Sequence, residues 1–463
     1  MFKKVKNRRF EIVVEYVETL VKGTHLISPI TGIIHNIEEI LPNPDDPQLF
    51  YFRAIVNTPP LGRVQTIKRA TAAGASICKE RALVRTIGEA VERYCGRMGW
   101  FYHKRRMIYS SYKKIKDDAI NPEDLIMYSE KQYLQPGFKL HKFSDDLEIW
   151  WIKGYSLVKN RSIFVPASFV FLAPMHVMCK KSQEFINVPI STGLACGNSK
   201  GEAILSGLYE CVERDAFTIM WLNKLSMPLV QLDSVKNREL QETLKKIYSA
   251  NIEVYVSNIT TDLGIPTLFT ILKSRVCNKY VPAACVSACT NLNPEVALLH
   301  SLEEACLVRL SLRTSMEKNS HINISTNSMK KKNVGDDIFD HARLYSKKEM
   351  LPALKFLTDS HQKNMIEKIK NKSSGEPSKD LQTCLDILAR KKFDVILVDV
   401  TIPSISKVGF FVVKVIIPGL QPLQFFPLYQ CLKGPRVYTL PKILGYAIKN
   451  TENSINPYPH PFG

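Results

Sequence analysis

One helix-forming stretch, residues 193–221, combines a strongly apolar surface with a stripe of carboxylates. It reads GLACGNSKGEAILSGLYECVERDAFTIMW, a small-residue loop followed by about twenty residues of helical pattern. At about 100° per residue, Glu202, Glu210 and Glu213 fall within roughly 80° of one another. A helix that is apolar on most sides is buried, and buried carboxylates need cations or hydrogen-bond donors. The stretch therefore predicts a divalent-cation site, Mg²⁺ with a phosphate. The plainer alternative is that Arg214 simply pairs with one of these acids.

A second segment repeats this pattern. Residues 71–101 contain a small-residue turn and then a helix with Glu89-Ala90-Val91-Glu92-Arg93, which matches Glu210-Cys211-Val212-Glu213-Arg214. In both segments an alanine lies seven residues before the first glutamate. Such an internal echo predicts two helices whose carboxylate clusters face each other. A coincidence between two surface helices is the alternative.

A third long helix is predicted to begin at Asn293-Pro294-Glu295, because proline is favoured in the first helical turn. Glu304 and Arg309 on this helix could reach the same pocket. They could equally be two ordinary charges on a solvent-exposed face.

The composition narrows the class of protein. The chain has 463 residues, 45% of them hydrophobic, with 63 Lys+Arg against 44 Asp+Glu and a net charge of +19. Much of the basic excess lies in lysine-rich patches typical of solvated loops, so a nucleic-acid partner is not favoured, and ATP or an acidic peptide would also suit this surface. The eleven cysteines form no CxxC pair, which indicates a reducing compartment. With no signal peptide and no apolar run of about 18 residues, we expect a cytoplasmic protein without a membrane span.

The order of patterns along the chain suggests one main domain. We expect a β-rich lead-in at 1–65, a main domain at 66–463, and within it a lysine-rich insertion at about 314–385 with mobile edges. Strands are predicted at Phe50 to Val56, Leu147 to Trp151, Ile252 to Val256, Pro266 to Leu272, Asp394 to Val400 and Phe410 to Ile417.

The last nine residues, 455–463, form a proline-rich tail. Pro457, Pro459 and Pro461 alternate, and this pattern holds an extended backbone with few hydrogen-bond donors. Such a tail is either a disordered end or a preformed strap inserted into a pocket.

The common nucleotide-binding and hydrolytic motifs do not occur in the sequence. It contains no G-x-x-x-x-G-K-[ST] loop, no G-x-G-x-x-G after a strand, no kinase signatures, no H-E-x-x-H and no G-x-S-x-G. If the chain binds a nucleotide, acidic helices and Mg²⁺ must hold it by an unconventional route.

These features together resemble the YcaO family of ATP-dependent enzymes that modify peptide backbones. The matching segments are Ala73 to Tyr94, Ser191 to Trp221, Asn293 to Arg309 and Asp399 to Leu420, and the proline tail is similar to that of the azoline-forming members. The resemblance spans roughly 65–463 and implies an α+β, YcaO-type ATP-binding fold, with mixed sheets and long acidic helices around a nucleotide site.

The resemblance also implies roles for individual residues. The carboxylates that it assigns to Mg²⁺ are Glu89, Glu92, Glu202, Glu210, Glu213 and Glu304. The residues that it assigns to ATP are Asn198, Ser199, Arg214 and Arg309, and Pro457, Pro459 and Pro461 would enter the active site. In two places the chain departs from the family pattern. Gly74-Ala75-Ser76 stands where a phosphate-facing lysine is common, and Lys414 stands where arginine is common.

The implied reaction is ATP-dependent cyclodehydration. In the family, a Cys, Ser or Thr side chain of a ribosomally made precursor peptide attacks the preceding backbone carbonyl. The resulting oxyanion takes the γ-phosphoryl group of ATP, and phosphate then leaves, so that an azoline ring remains. We expect a separate leader-peptide-binding, ubiquitin-activating-like partner protein and a homodimer. The alternatives are peptide thioamidation and a non-catalytic scaffold or nucleic-acid-binding protein with the same fold.

Overall fold

The computed structural model describes residues 8–58, 70–126, 128–318, 340–447 and 450–462, with side chains from residue 16 onward. The α-helices of these ranges are α1 (Arg8–Thr24), α2 (Lys79–Tyr102), α3 (Tyr112–Ile115), α4 (Glu130–Tyr133), α5 (Met175–Met178), α6 (Lys200–Asn223), α7 (Arg238–Ser249), α8 (Pro294–Lys318), α9 (Asp340–Tyr345), α10 (Lys355–Thr358), α11 (Pro377–Arg390), α12 (Pro403–Val408) and α13 (Pro435–Ile443). The strands are β1 (Ile34–Glu39), β2 (Phe50–Val56), β3 (Ala70–Ser76), β4 (Met107–Ser111), β5 (Glu148–Ser156), β6 (Arg161–Pro166), β7 (Leu194–Gly197), β8 (Leu229–Val230), β9 (Ile252–Asn258), β10 (Thr267–Ser274), β11 (Ala284–Thr290), β12 (Lys363–Asn364), β13 (Ile396–Asp399) and β14 (Phe411–Ile416).

These strands form three sheets. The first has the order β1-β2-β3, the second β11-β10-β9-β8-β12, and the third β4-β5-β13-β14-β7 with β6 paired to β5. The pairs are antiparallel except β12 with β8. The expected α+β fold with mixed sheets is therefore confirmed.

Three strand–helix units, one from each sheet, organise the fold: β3–α2, β7–α6 and β11–α8. The small-residue segments predicted as turns before α2 and α6 are mainly short strands, and that part of the prediction is wrong. Small side chains suit these strands because the helix packs close against them. A Cβ at Gly74 would lie 2.4 Å from the carbonyl oxygen of Ala82. Gly193, with φ +82°, similarly passes close to the backbone of Val415.

The acidic helix α6 is the most enclosed of the three helices that follow these strands. Its buried residues run almost without interruption from Ala203 to Asn223. One apolar side packs on Val413 and Val415 of β14, and another packs on Phe269 of β10. As the sequence predicted, α6 lies in the core, so polar groups on it are held in fixed positions.

The structure adds detail to two predicted regions. The lead-in is not β-rich throughout, because it begins with α1, and β1 and β2 join β3 across the proposed boundary at residue 65. In the region predicted as an insertion, β12 pairs with β8, and α9 and α11 pack into the core. Residues 319–339 of that region lie outside the described part, and the domain boundaries remain predictions. The strands predicted from alternation are confirmed as β2, β5, β9, β10, β13 and β14.

Within the described ranges, no helix combines the length and apolarity needed to cross a membrane.

Candidate active site

Carboxylates from three helices gather in one place, which we name the acidic cluster: Glu89 and Glu92 of α2, Glu210 and Glu213 of α6, and Glu304 of α8. Two arginines hold the cluster together. Burial would lower the pKa of Arg93, but the charges of Glu89, Glu92 and Glu210 outweigh this effect and raise it. Arg214 has the same role on α6, where it lies 3.4 Å from Glu210 and 3.5 Å from Glu213. The prediction that the acids of separate helices converge is supported by this geometry.

The repeated sequence pattern folds into a repeated local structure. In the β3–α2 unit, the backbone amide of Ala73 donates to Oε2 of Glu89 over 2.8 Å. In the β7–α6 unit, the amide of Gly193 donates to Oε2 of Glu210 over 2.9 Å. Each unit thus uses the strand, or the residue just before it, to orient the first glutamate of its E-x-V-E-R helix. The internal echo is therefore a feature of the fold and not a coincidence between surface helices.

The acidic cluster carries more negative charge than its arginines neutralise. Burial raises the pKa of Glu92 and of Glu213 well above the usual carboxyl value, although Arg93 and Arg214 oppose the shift. Desolvation also raises the pKa of Glu304, whose side chain still reaches solvent. A cation in contact with these acids would offset the desolvation that raises their pKa values. The chemistry of the cluster therefore fits a hard divalent cation.

The side chains are nevertheless not arranged as a finished metal cage. In the part of the chain that the structure describes, no three His, Cys, Asp or Glu side chains come together closely enough to hold an ion. Arg93 and Arg214 pair with the carboxylates instead. Glu202 lies at the start of α6, where it accepts from the amide of Asn198 over 2.9 Å. The assignment of these glutamates to Mg²⁺ stays a prediction.

The residues assigned to nucleotide phosphates begin α6. Ser199 is the N-cap and accepts a hydrogen bond from the amide of Glu202. The side chain of Asn198 donates to Oγ1 of Thr19 over 2.9 Å, and Nζ of Lys22 lies 3.5 Å from its Oδ1. A helix N-terminus favours anions. Helix α1 therefore brings a lysine to the end of α6 where an anion is favoured.

Arg309 lies elsewhere. It forms an ion pair with Asp46 at 3.2 Å and donates to Oγ of Ser274 over 2.6 Å. Only 2% of the Arg309 side chain and 1% of the Asp46 side chain are exposed, so this pair is enclosed in the core. The structure gives Arg309 a structural contact in place of the expected phosphate contact.

Arg85, which the sequence analysis did not single out, lies closer to the acidic cluster. Its Nη1 is 2.8 Å from Glu303, and its charge acts to lower the pKa of Glu304. Its Nη2 is buried and has no hydrogen-bond partner within the described residues, as is also true of Nη1 of Arg214. The spacing of Arg85 and Glu89, one helical turn apart, was the available signal for its placement.

The tail is a strap and not a disordered end. The carbonyl oxygens of Tyr458 and Pro459 accept hydrogen bonds from Trp221 and Tyr345, over 3.1 and 2.6 Å. The ring of Phe462 lies 4.2 Å from the guanidinium carbon of Arg214. Pro459 and Pro461 are buried, whereas Pro457 is exposed. The tail therefore reaches the acidic cluster, and a catalytic role for the prolines themselves remains a prediction.

The two departures from the family pattern have different surroundings. Ala75 is buried in an apolar core beside Tyr51. Lys414 is also buried, and its Nζ donates to the carbonyl oxygen of Ile190 over 2.6 Å. Burial lowers the pKa of Lys414 to about 8, while the charges of Glu210 and Glu92 oppose this shift. Lys414 is thus within electrostatic reach of the acidic cluster.

Comparison with known proteins agrees with this geometry. A curated but uncharacterised protein of Methanothermobacter thermautotrophicus is 29% identical over 208 residues, which are 43% of this chain and 51% of that protein. The chain thus matches about half the length of that relative. The fold is similar to that of a heterocyclase in complex with substrate and cofactor, with a TM-score of 0.79, 23% identity, and coverage of 96% of this chain and 57% of that one. It is also similar to YcaO from Methanopyrus kandleri bound with AMPPCP and Mg²⁺, with a TM-score of 0.62, 15% identity, and coverage of 88% and 91%.

The family model described as YcaO cyclodehydratase, ATP- and Mg²⁺-binding, matches residues 73–421, a range that contains every member of the acidic cluster. The chain therefore belongs to the YcaO family.

Proposed function

We propose that this chain catalyses the ATP-dependent cyclodehydration of Cys, Ser or Thr residues in a ribosomally made precursor peptide. The product would be a thiazoline or an oxazoline. One observation carries the proposal: five carboxylates of α2, α6 and α8 gather around Arg93 and Arg214, with the proline tail packed against them. An ordinary structural ion pair does not need this excess of acids.

The residues present fit Mg²⁺ and ATP. The acidic cluster has carboxylates in excess, which suits Mg²⁺, while Nη2 of Arg85, which makes no hydrogen bond to the described residues, suits a phosphate oxygen. Asn198 and Ser199 add the N-terminus of α6, and Lys22 adds a positive charge beside it. When bound, Mg-ATP supplies the phosphoryl group that turns an amide oxygen into a leaving group. We do not assign Arg309 to this site, because its guanidinium group is already paired with Asp46 in the core.

The chain's own residues position these groups and limit access by water. Backbone amides hold Glu89 and Glu210 in place, so both carboxylates are oriented before any ligand arrives. Phe462 covers the guanidinium of Arg214, and Tyr345 fixes the backbone of the tail. We propose that the tail keeps one side of the site dry, because desolvation strengthens electrostatic interactions with a transferring phosphoryl group.

The proposal also covers the peptide substrate and the partner proteins. The similar heterocyclase was solved with substrate and cofactor, and the match covers 57% of its chain. We propose that a separate, ubiquitin-activating-like protein binds the leader of the precursor peptide and presents it to this chain, which acts as a homodimer in the cytoplasm. All eleven cysteines are free thiols in the structure, which suits a reducing compartment.

The test is a mass measurement. The purified chain is incubated with Mg-ATP and a precursor peptide encoded by a neighbouring gene, with and without the leader-binding partner. We expect the peptide to lose the mass of one water per ring, and to do so faster with the partner. A gain in mass equal to the exchange of oxygen for sulfur, when sulfide is supplied, would support thioamidation instead. An unchanged peptide mass in every combination would overturn both enzymatic functions and favour a non-catalytic scaffold.

A further inference from the structure

A cavity of about 90 Å³ lies beside the acidic cluster, with Cys211 and Lys414 in its wall. Its walls come from residues 124–126 with Tyr128, from residues 187–192 and from residues 415–424, and Phe169 and Cys431 close the sides. Most of the wall is apolar, so the space suits a ligand with an apolar surface.

Three amide oxygens on the wall make no hydrogen bond to any residue that the structure describes. They are Oδ1 of Asn187, Oε1 of Gln421 and Oε1 of Gln424, and all three residues are at least 95% buried. The amide nitrogens of Asn187 and Gln421 donate to the carbonyl oxygens of Ser168 and Cys431, which settles which end of each amide is the acceptor. Buried acceptors are normally satisfied, so three on one wall indicate a ligand that donates several N–H groups.

The cavity lies next to the acidic cluster. Cys211 and Lys414 line it, and Cys211 directly follows Glu210 of the acidic cluster. Thr192 also lines it, next to Gly193, whose amide holds Glu210. A ligand filling the cavity therefore ends beside the carboxylates that we assign to Mg-ATP.

A smaller cavity continues the space in the other direction. It shares Pro422, Gln424 and Cys431 with the first cavity and is also lined by Thr218 and His460. Oγ1 of Thr218 is buried and also makes no hydrogen bond to the described residues. Polar atoms without a hydrogen bond therefore line both cavities, and a ligand that spans the two would be elongated.

We propose that this cavity binds the substrate peptide beside the reacting residue, with the amide oxygens of Asn187, Gln421 and Gln424 accepting backbone N–H groups. A peptide in extended conformation offers such donors at regular intervals together with small or apolar side chains. An adenine ring offers a single amino group, too few donors for three separated acceptors. The inference rests on the proposed function and names the substrate subsite of the same active site.

The test uses a synthetic ten-residue peptide that carries a photo-reactive diazirine leucine immediately before a Gly-Cys pair. After irradiation with the whole chain, we expect cross-links in residues 187–192 and 415–424. Asn187→Leu and, separately, Gln421→Met should each lower the cross-link yield about five- to tenfold. The control Gln241→Met removes a glutamine of α7 that donates to the carbonyl oxygen of Val235, away from the cavity, and it should leave the yield unchanged.

A thermal shift with the Mg²⁺ complex of a non-hydrolysable ATP analogue shows that each variant is folded, and Gln424→Met replaces any variant that is not. Three outcomes would each overturn the peptide assignment. The two segments form no cross-links, the yield is unchanged in the folded variants, or adenosine displaces the peptide. If the chain cross-links the peptide as expected but never removes water from a precursor, the proposed function fails while the peptide site stands. If water is removed but the cavity variants are neutral, only the cavity assignment fails.

Discussion

At the scale of single residues, the site depends on how five acids share few positive charges. Arg93 and Arg214 each pair with a glutamate four residues earlier on the same helix and also act on acids of a neighbouring helix. Burial raises the pKa values of Glu92 and Glu213, and the shared arginines offset this effect only in part. The cluster is therefore under-neutralised until further positive charge arrives.

The first prediction concerns the acids of α6. Replacing Glu210 and Glu213 together by alanine should abolish the rise in melting temperature that Mg-ATP gives the wild-type chain, because two carboxylates assigned to the ion are lost. The control is Glu242→Ala, which removes an exposed glutamate of α7 and should keep the full shift. Thermal unfolding with and without Mg-ATP measures both, and a shift retained in the double variant would contradict the assignment.

The second prediction concerns pH. Because burial raises the pKa of Glu213, the folded chain keeps a proton that the unfolded chain has released at the same pH. Without Mg²⁺, the free energy of unfolding should therefore fall as pH rises from the ordinary carboxyl range through the raised pKa of Glu213. The stabilisation by Mg-ATP should grow over the same window, since the ion replaces the proton. Melting curves across this range test it, and Glu213→Gln should flatten the dependence.

At the scale of secondary-structure elements, α1 completes the start of α6. Lys22 and Thr19 both contact the side chain of Asn198, and α1 lies outside the range matched by the family model. The position of Ala75, where the family commonly has a lysine, is enclosed in an apolar core. We therefore expect Lys22 to supply positive charge near the phosphates.

The third prediction follows from this contact. Lys22→Met should weaken the binding of a non-hydrolysable ATP analogue about three- to tenfold without unfolding the chain, because one charge-assisted contact is lost. Lys236→Met is the matched control, since Lys236 is exposed and pairs only with Glu367 at 2.8 Å among its described contacts. Calorimetric titration of both variants decides the point, and equal affinities would remove Lys22 from the site.

The C-terminal strap is the second element that the site depends on. Phe462 is 3% exposed, and its ring lies 4.8 Å from that of Phe217 and also over Arg214. The same end of the strap is therefore packed into the core and against the site.

The fourth prediction tests the strap. Phe462→Ala should lower the free energy of unfolding by about 3 kcal/mol, because a buried ring is removed. It should also lower the rate at which the precursor peptide is cyclodehydrated, because the guanidinium of Arg214 is no longer covered. The control Phe101→Ala removes a ring that is 43% exposed and should have a small effect on both. Denaturant unfolding and the mass assay measure the two effects. A variant that is destabilised but fully active would show that the strap is only structural.

At the scale of the whole molecule, buried ion pairs connect parts of the chain that are distant in sequence. Asp46 follows β1 of the first sheet, whereas Arg309 lies on α8, which packs on the second sheet. On the far side of α6, Asp215 pairs with Arg436 of α13 at 2.7 Å. These pairs fix the orientation of the helices that carry the acidic cluster.

The fifth prediction concerns the first of these pairs. Asp46→Ala should lower the free energy of unfolding by about 3–5 kcal/mol, because it leaves Arg309 buried without its partner. Replacing both residues by leucine should recover much of that loss. Asp45→Ala removes an exposed partner of Arg313 and should cost less than about 1 kcal/mol. Urea unfolding of the three variants measures the difference, and a small effect of Asp46→Ala would contradict a structural role for the pair.

Much of the site could be predicted from local patterns, but parts of it could not. The E-x-V-E-R echo identified Glu89, Glu92, Glu210 and Glu213, because helical periodicity alone puts them on one face. The same reasoning placed Arg309 at the phosphates, whereas it pairs with Asp46. The helical pattern shows which face carries a charge but not which neighbouring element that face contacts. It also took short strands for turns, because small residues suit both tight turns and close packing against a helix.

The sequence by itself determined which helices would be acidic, where they begin, and which family the chain resembles, since periodicity, capping and spacing are local properties. Only the tertiary structure decided which charges meet. It paired Arg309 with Asp46, brought Lys22 to Asn198 and laid Phe462 on Arg214. These contacts join residues more than a hundred positions apart, and their partners depend on how whole sheets and helices pack, which no local pattern specifies.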